Sequence, residues 1–158
     1  MDLTVRSWRD LGVRIDNIRS SFLPYGLLTI ILVTGLLLIL DIFGVASTLV
    51  SWHRLYPSFL VLIFLSSLQE LFFRGYLILV LRRFSKKVAI VVLIDAVLFA
   101  ALHLLFQEQQ IFVPGAFLAG VGFATVYYYY PNLILASLVH IVLDWSIIPF
   151  CNFKLLSC

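Results

Sequence analysis

The chain has 158 residues, of which 63% are hydrophobic and 12% are charged, and its formal net charge is +3. Soluble domains are nearer to about 45–50% apolar and about 25% charged, so this composition excludes an ordinary soluble domain and favours a single-domain, multi-span membrane protein. Most basic residues fall in two clusters, as topology determinants do, and we expect no nucleic-acid partner.

The first 22 residues are predicted to form a cytoplasmic or interfacial N-terminal segment. This segment is too long and too charged to be the leading part of a cleavable signal peptide. The first apolar run is therefore expected to stay uncleaved and to act as a membrane anchor. The alternating charges of this segment are Asp2, Arg6, Arg9, Asp10, Arg14, Asp16 and Arg19.

Residues 23–150 are predicted to form one all-α transmembrane domain of about five spans, since a span requires about 20 apolar residues. Pro24 is expected at the start of the first helix, where proline is tolerated. The fourth segment is short, and a re-entrant segment remains an alternative. The five segments are Leu23–Phe43, Tyr56–Leu81, Val88–Phe106, Pro114–Tyr129 and Leu133–Ile148.

The basic residues also predict orientation. The second basic cluster is "RRFSKK", Arg82 to Lys87, between the second and third segments. In a five-span chain it falls on the same side as the N-terminus, so both are expected in the cytoplasm. The run "YYYYPN", residues 127–132, is typical of an interfacial aromatic belt. We expect a prokaryotic plasma membrane.

The connection "QEQQ", residues 107–110, is predicted as a break between the third and fourth spans. The tail, residues 151–158, holds both cysteines, Cys151 and Cys158. Their spacing fits neither a disulfide framework nor a metal site.

Ionisable residues interrupt the apolar segments. A charged side chain inside a membrane costs several kcal/mol, an amount on which published scales disagree, and such a residue usually faces the bundle interior. Glu70 and Arg74 are four residues apart, which places them on one helix face. His140 and Asp144 repeat that spacing. Asp95 and His103, eight residues apart, could share a broader inward face. Asp41 lies near the end of the first span and is expected at the interface.

A carboxylate and two imidazoles around a protected water indicate general-base hydrolysis, and histidine with another polar group can stabilise an oxyanion. No GxSxG nucleophile motif is present. Four alternatives remain open. Glu70 with Arg74 could only fix helix packing, a lone histidine could only donate an interhelical hydrogen bond, and the acids and histidines could form a proton relay. Zinc ligation is disfavoured by the absence of HExxH and by the Arg74 charge. Asp95 is interpreted as a packing residue.

Three motifs occur in order on consecutive apolar segments, and with them the chain resembles the CPBP (CAAX-protease and bacteriocin-processing, or Abi) family of intramembrane proteases. The resemblance covers residues 57–148. The family's EExxFRG, FxxxH and HxxxN/D motifs read here as Gln69–Gly75 (QELFFRG), Phe99–His103 (FAALH) and His140–Asp144 (HIVLD).

The resemblance implies a helical membrane peptidase that activates water with a glutamate and needs no metal or other cofactor. Carried over by motif, Glu70 and His103 would activate water and Arg74 would hold the acidic pair. His140 and Asp144 would stabilise the oxyanion. The expected partners are membrane lipid and a peptide or protein substrate, lipidated or membrane-anchored in some family members.

One departure falls on the first motif, because its first glutamate is Gln69 here. In eukaryotic-type members that position is regarded as the general base, and a glutamine has no titratable carboxylate. Two interpretations follow. Either Glu70 is the base and Gln69 orients the water, or the chain is a non-cleaving member that acts as a bacteriocin-immunity or membrane binding protein.

Overall fold

The fold is entirely helical over the residues that the structure, a computed structural model, describes: 7–42, 52–105 and 113–147, with the backbone alone for 52–58. The predicted all-α class is thus confirmed. Six α-helices and one π-helical segment follow in order: α1 (Ile18–Ile42), α2 (Trp52–Glu70), the π segment (Leu71–Leu77), α3 (Ile78–Phe84), α4 (Val88–His103), α5 (Val113–Tyr129) and α6 (Leu133–Ile147).

Some sequence predictions fall outside the described residues. These are the span ends at Phe43, Phe106 and Ile148, the break at residues 107–110, and the 151–158 tail with Cys151 and Cys158. The division into an N-terminal segment, one domain and a tail stays a prediction.

Within residues 7–42, 52–105 and 113–147, two helical stretches are long and apolar enough to cross a membrane, Ile18–Ile42 and Phe59–Phe84. Only 17% and 33% of their most apolar windows are buried within the protein, so most of their apolar surface faces outward. Water would disfavour such a surface, whereas lipid chains solvate it. Helices α4 and α6 are shorter apolar helices, and the number of five spans stays a prediction.

The start predicted for the first helix is wrong. Helix α1 begins at Ile18, five residues earlier than predicted, so Pro24 lies inside the helix rather than at its start. The early start is stabilised by the Asn17 carbonyl, which accepts the Ser21 N–H at 3.0 Å. Helix α4 ends at His103, because the next two amides turn back to the Ala101 and Leu102 carbonyls.

The second predicted span is not one continuous α-helix. It changes to π-helical geometry at Leu71, directly after Glu70, and the amide of Ile78 donates to the carbonyl of Phe73, five residues back. Such i→i+5 segments are rare and frequently occur at functional sites. This segment carries Arg74, so it decides where the guanidinium points.

Helices α4 and α5 pack closely through small residues. A Cβ atom added to Gly120 would lie 3.0 Å from the Ala96 Cα and 3.3 Å from a Phe99 ring carbon. Ala116, one turn earlier on α5, is buried as well. The Ala116–Gly120 spacing therefore serves the close helix approach that its small-xxx-small pattern predicts.

The N-terminal residues pack against the turn between α5 and α6. The Tyr127 hydroxyl donates to the Leu11 carbonyl at 2.8 Å, and the Leu133 amide donates to the Gly12 carbonyl at 2.8 Å. Asn132, which is fully buried, donates to the Arg14 carbonyl at 3.0 Å. These bonds hold the segment with Arg9 and Arg14 at the end of the bundle where α3 ends.

Candidate active site

Glu70 is the last residue of α2 and is fully buried. One oxygen, Oε1, accepts a hydrogen bond from His140 Nδ1 at 2.8 Å and lies 3.2 Å from Arg74 Nη1. The other, Oε2, has no hydrogen-bond partner among the described residues. The carboxylate is therefore oriented through one oxygen and leaves the other available for chemistry.

Arg74 holds the centre of the cluster and is also fully buried. Its Nε lies 3.8 Å from Asp95 Oδ2, and its guanidinium carbon lies 4.4 Å and 4.9 Å from the ring centroids of Phe99 and Phe123. None of its nitrogens makes a well-aligned hydrogen bond to a described residue. Opposite charge and the aromatic faces hold it, and desolvated cation–π contacts are worth about 2 kcal/mol or more.

Helices α2 and α6 face each other through two pairs of residues at four-residue spacing. Glu70 meets His140, and Ser66, one turn earlier on α2, donates to Asp144 Oδ2 at 2.5 Å. His140 Nε2 lies 3.7 Å from Asp144 Oδ1, which is too long for a hydrogen bond. The Asp144 side chain is 26% exposed, whereas Glu70 is fully buried. Solvent exposure within the cluster therefore increases from Glu70, which is fully buried, to Asp144, which is the more accessible end.

His103 ends α4 and is half-buried. Its Nδ1 contacts the Phe99 carbonyl at 3.1 Å. A carbonyl only accepts, so this contact assigns the proton to Nδ1 and leaves Nε2 as an acceptor in the neutral ring. The Phe99 ring centroid lies 5.3 Å from the ring of His103 and 5.7 Å from that of His140. Both imidazoles thus pack on one aromatic ring, but His140 alone is hydrogen-bonded to Glu70.

Gln69 is half-buried and precedes Glu70 on α2. Within the described part of the chain it makes no hydrogen bond to Glu70, His103 or His140. Consecutive residues on an α-helix point about 100° apart, so the Gln69 amide does not share the direction of the buried carboxylate.

Sequence reasoning missed two members of this cluster. Asp95 was interpreted as a packing residue, yet it is fully buried opposite Arg74, and neither of its oxygens has a hydrogen-bond partner among the described residues. Ser66 was not considered, although it lies four residues before Glu70 and so on the same helix face. Within residues 7–42, 52–105 and 113–147, no three His, Cys, Asp or Glu side chains are placed to share one metal ion.

Apolar helices around a buried acid, arginine and histidine define the class as a helical membrane protein with an enclosed polar site. The family model described as Type II CAAX prenyl endopeptidase Rce1-like matches residues 50–146, which include the whole cluster from Ser66 to Asp144. The chain therefore belongs to this protease family, and the resemblance found in the sequence is confirmed. Searches of curated proteins and of solved structures found no match.

Proposed function

We propose that this protein is an intramembrane endopeptidase that hydrolyses a peptide bond with water activated by Glu70. The observation that carries the proposal is the Glu70 carboxylate, which is buried, oriented through Oε1 by His140 and Arg74, and without a hydrogen-bond partner at Oε2 among the described residues. A positioned general base contributes about 10²–10⁴-fold to such a reaction.

The other residues take roles that fit their contacts. His103 Nε2 accepts a hydrogen bond from the attacking water. Arg74, placed between Glu70 and Asp95, positions both carboxylates. His140, at the more accessible end, stabilises the oxyanion through a proton on Nε2, and Asp144, whose Oδ1 lies 3.7 Å from that nitrogen, favours the protonated ring.

The proposed reaction is a direct attack by water. The water oxygen bonds to the scissile carbonyl carbon while Glu70 Oε2 takes the proton, which gives a tetrahedral oxyanion. When this intermediate collapses, the C–N bond breaks and Glu70 returns the proton to the leaving amine. The carboxylate is regenerated, and no group outside the chain and the substrate is consumed.

An apolar groove supports a membrane-anchored or lipidated peptide as substrate. Its volume is about 430 Å³, within the range of ligand pockets. Its lining includes Ser67, Leu71 and Ile141, which are chain neighbours of the cluster residues. A groove of this character suits an acyl or prenyl chain. The location that we propose is a prokaryotic plasma membrane, spanned five times, with a cytoplasmic N-terminus.

Gln69 favours a second candidate function. If the base must stand at position 69, this chain cannot activate water and would act by binding, as a bacteriocin-immunity or membrane binding protein. The lack of any hydrogen bond from Gln69 to the cluster is consistent with an altered site.

Peptide cleavage by the purified protein in lipid distinguishes the two functions. The substrates are a quenched fluorescent peptide library and a prenylated CAAX peptide, each with and without a chelator. The variants are Glu70→Gln, His103→Ala and Gln69→Glu. Asp41→Asn is the control, because it also converts a carboxylate to an amide but at an exposed position on α1.

Chelator-resistant cleavage by the wild type that falls at least 100-fold in Glu70→Gln and His103→Ala, but not in Asp41→Asn, supports the glutamate peptidase. Absence of wild-type cleavage together with cleavage by Gln69→Glu overturns it in favour of the non-cleaving function.

A further inference from the structure

A basic cavity lies at the end of the bundle where α3 ends, apart from the cluster around Glu70. Its volume is about 260 Å³, room for about nine water molecules. The N-terminal segment, α3 and the turn between α5 and α6 form its walls. Asp10 is its one carboxylate, and its cationic residues are Arg9, Arg14, Arg82, Arg83 and Lys86.

Two of the arginines are close to a carboxylate that lies outside the lining. Asp16 lies outside the lining. Its Oδ2 is 2.5 Å from Arg9 Nη2, and its Oδ1 is 3.5 Å from Arg14 Nε. The hydrogen bond from Arg9 holds the pKa of Asp16 below its usual range, so Asp16 is ionised at neutral pH. Among the described residues of the lining, cationic side chains outnumber carboxylates five to one. Like charges gathered in one cavity repel each other and favour an anionic occupant.

The surroundings of the cavity place it at the level of lipid headgroups. The Arg82 guanidinium lies 4.3 Å from the ring centroid of Tyr128, in the run of four tyrosines. Aromatic and basic residues concentrate at the interface between lipid and water. Apolar Ile78 and Leu79 line the same cavity, so its wall continues toward the acyl-chain region.

We propose that this cavity binds the phosphate group of an anionic lipid headgroup. Guanidinium groups offer two parallel N–H donors to phosphate oxygens, and basic pockets of membrane proteins bind anionic headgroups. The shared chemistry is a phosphate anion, and the interfacial position favours a lipid over free phosphate as its source. This site is independent of whether Glu70 cleaves peptides.

Native mass spectrometry of the detergent-solubilised protein, titrated with phosphatidylglycerol or phosphatidylcholine, measures the binding. Thermal unfolding with phosphatidylglycerol, inorganic phosphate or glycerol 3-phosphate compares the lipid with the free anions. Arg14→Gln with Arg82→Gln removes two cavity charges. The matched control, Arg19→Gln with Lys87→Gln, removes two charges outside the lining.

A second pair of substitutions guards against misfolding. Arg9→Gln with Lys86→Gln changes two exposed side chains of the cavity rim. Each lost charge near the surface should weaken phosphatidylglycerol binding about fivefold. Either cavity double variant should therefore bind about 25-fold more weakly, while the control binds like the wild type.

Selective retention of phosphatidylglycerol that is lost in both cavity variants supports the proposal. Equal weakening in the control variant overturns it, because binding then follows net charge alone. Stabilisation by inorganic phosphate as large as that by phosphatidylglycerol overturns the lipid as the source.

Discussion

The Arg74→Met substitution tests whether the buried charges are balanced as described. Methionine keeps an apolar side chain beside Phe99 and Phe123 but leaves Glu70 and Asp95 without their guanidinium. Both carboxylates are fully buried, and removal of one member of a buried ion pair costs about 3–5 kcal/mol. For a chain of this size, 1 kcal/mol shifts the Tm by about 2–4 °C, so we expect a Tm lower by roughly 6–20 °C.

Thermal unfolding in detergent or lipid, followed by tryptophan fluorescence, measures this loss. Arg19→Met is the control, because Arg19 is exposed near the start of α1, and its Tm should be unchanged. The charge-free triple variant, Glu70→Gln with Arg74→Met and Asp95→Asn, should recover most of the Tm. Replacing all members of a buried ionic cluster with uncharged side chains lowers the free energy of unfolding far less than removing one member does.

Two results would refute this reasoning. If Arg74→Met lowered the Tm by less than about 2 °C, the stability of the buried Glu70 and Asp95 would not depend on the guanidinium. A triple variant no more stable than the single one would mean that Arg74 acts through its packing on the aromatic rings.

The remaining predictions concern packing, the N-terminal segment and the site. Gly120→Val should destabilise the protein by about 1–3 kcal/mol in a denaturation assay, because the valine side chain would overlap α4. Gly35→Ala is the control in the same assay. A Cβ atom at Gly35 would have nothing within 4 Å, so this variant should be neutral or stabilising. Asn132→Ala should cost about 1–3 kcal/mol and speed hydrogen exchange and proteolysis of residues 7–17; unchanged exchange would show that the segment is held otherwise. Ser66→Ala should lower kcat in the peptide assay with little change in KM, because Asp144 loses the hydroxyl that orients it; a change in KM alone would contradict this positioning role.

Much of the candidate site could be predicted from local spacing. The four-residue intervals between Glu70 and Arg74 and between His140 and Asp144 place each pair on one helix face, and the structure brings both pairs into one cluster. Helical periodicity depends only on the chain itself, so it can be inferred without knowledge of the neighbouring helices.

The contacts between helices could not be predicted in the same way. The hydrogen bond between Glu70 and His140 joins α2 to α6, and no spacing along the chain indicated it. Asp95 looked like a packing residue until α4 was placed opposite Arg74. Sequence spacing carries no information on which helix approaches which, since that depends on packing such as the contact of Gly120 with Ala96.

Composition and pattern by themselves determined the helical membrane class, the apolar segments and the family motifs, because burial in lipid and helix periodicity are local properties. Tertiary structure alone decided three features: the π-helical turn that aims Arg74, the choice of His140 as the partner of Glu70, and the meeting of both basic clusters in one cavity. The last two of these depend on contacts between residues far apart in the chain, where packing rather than local preference sets the lowest free energy.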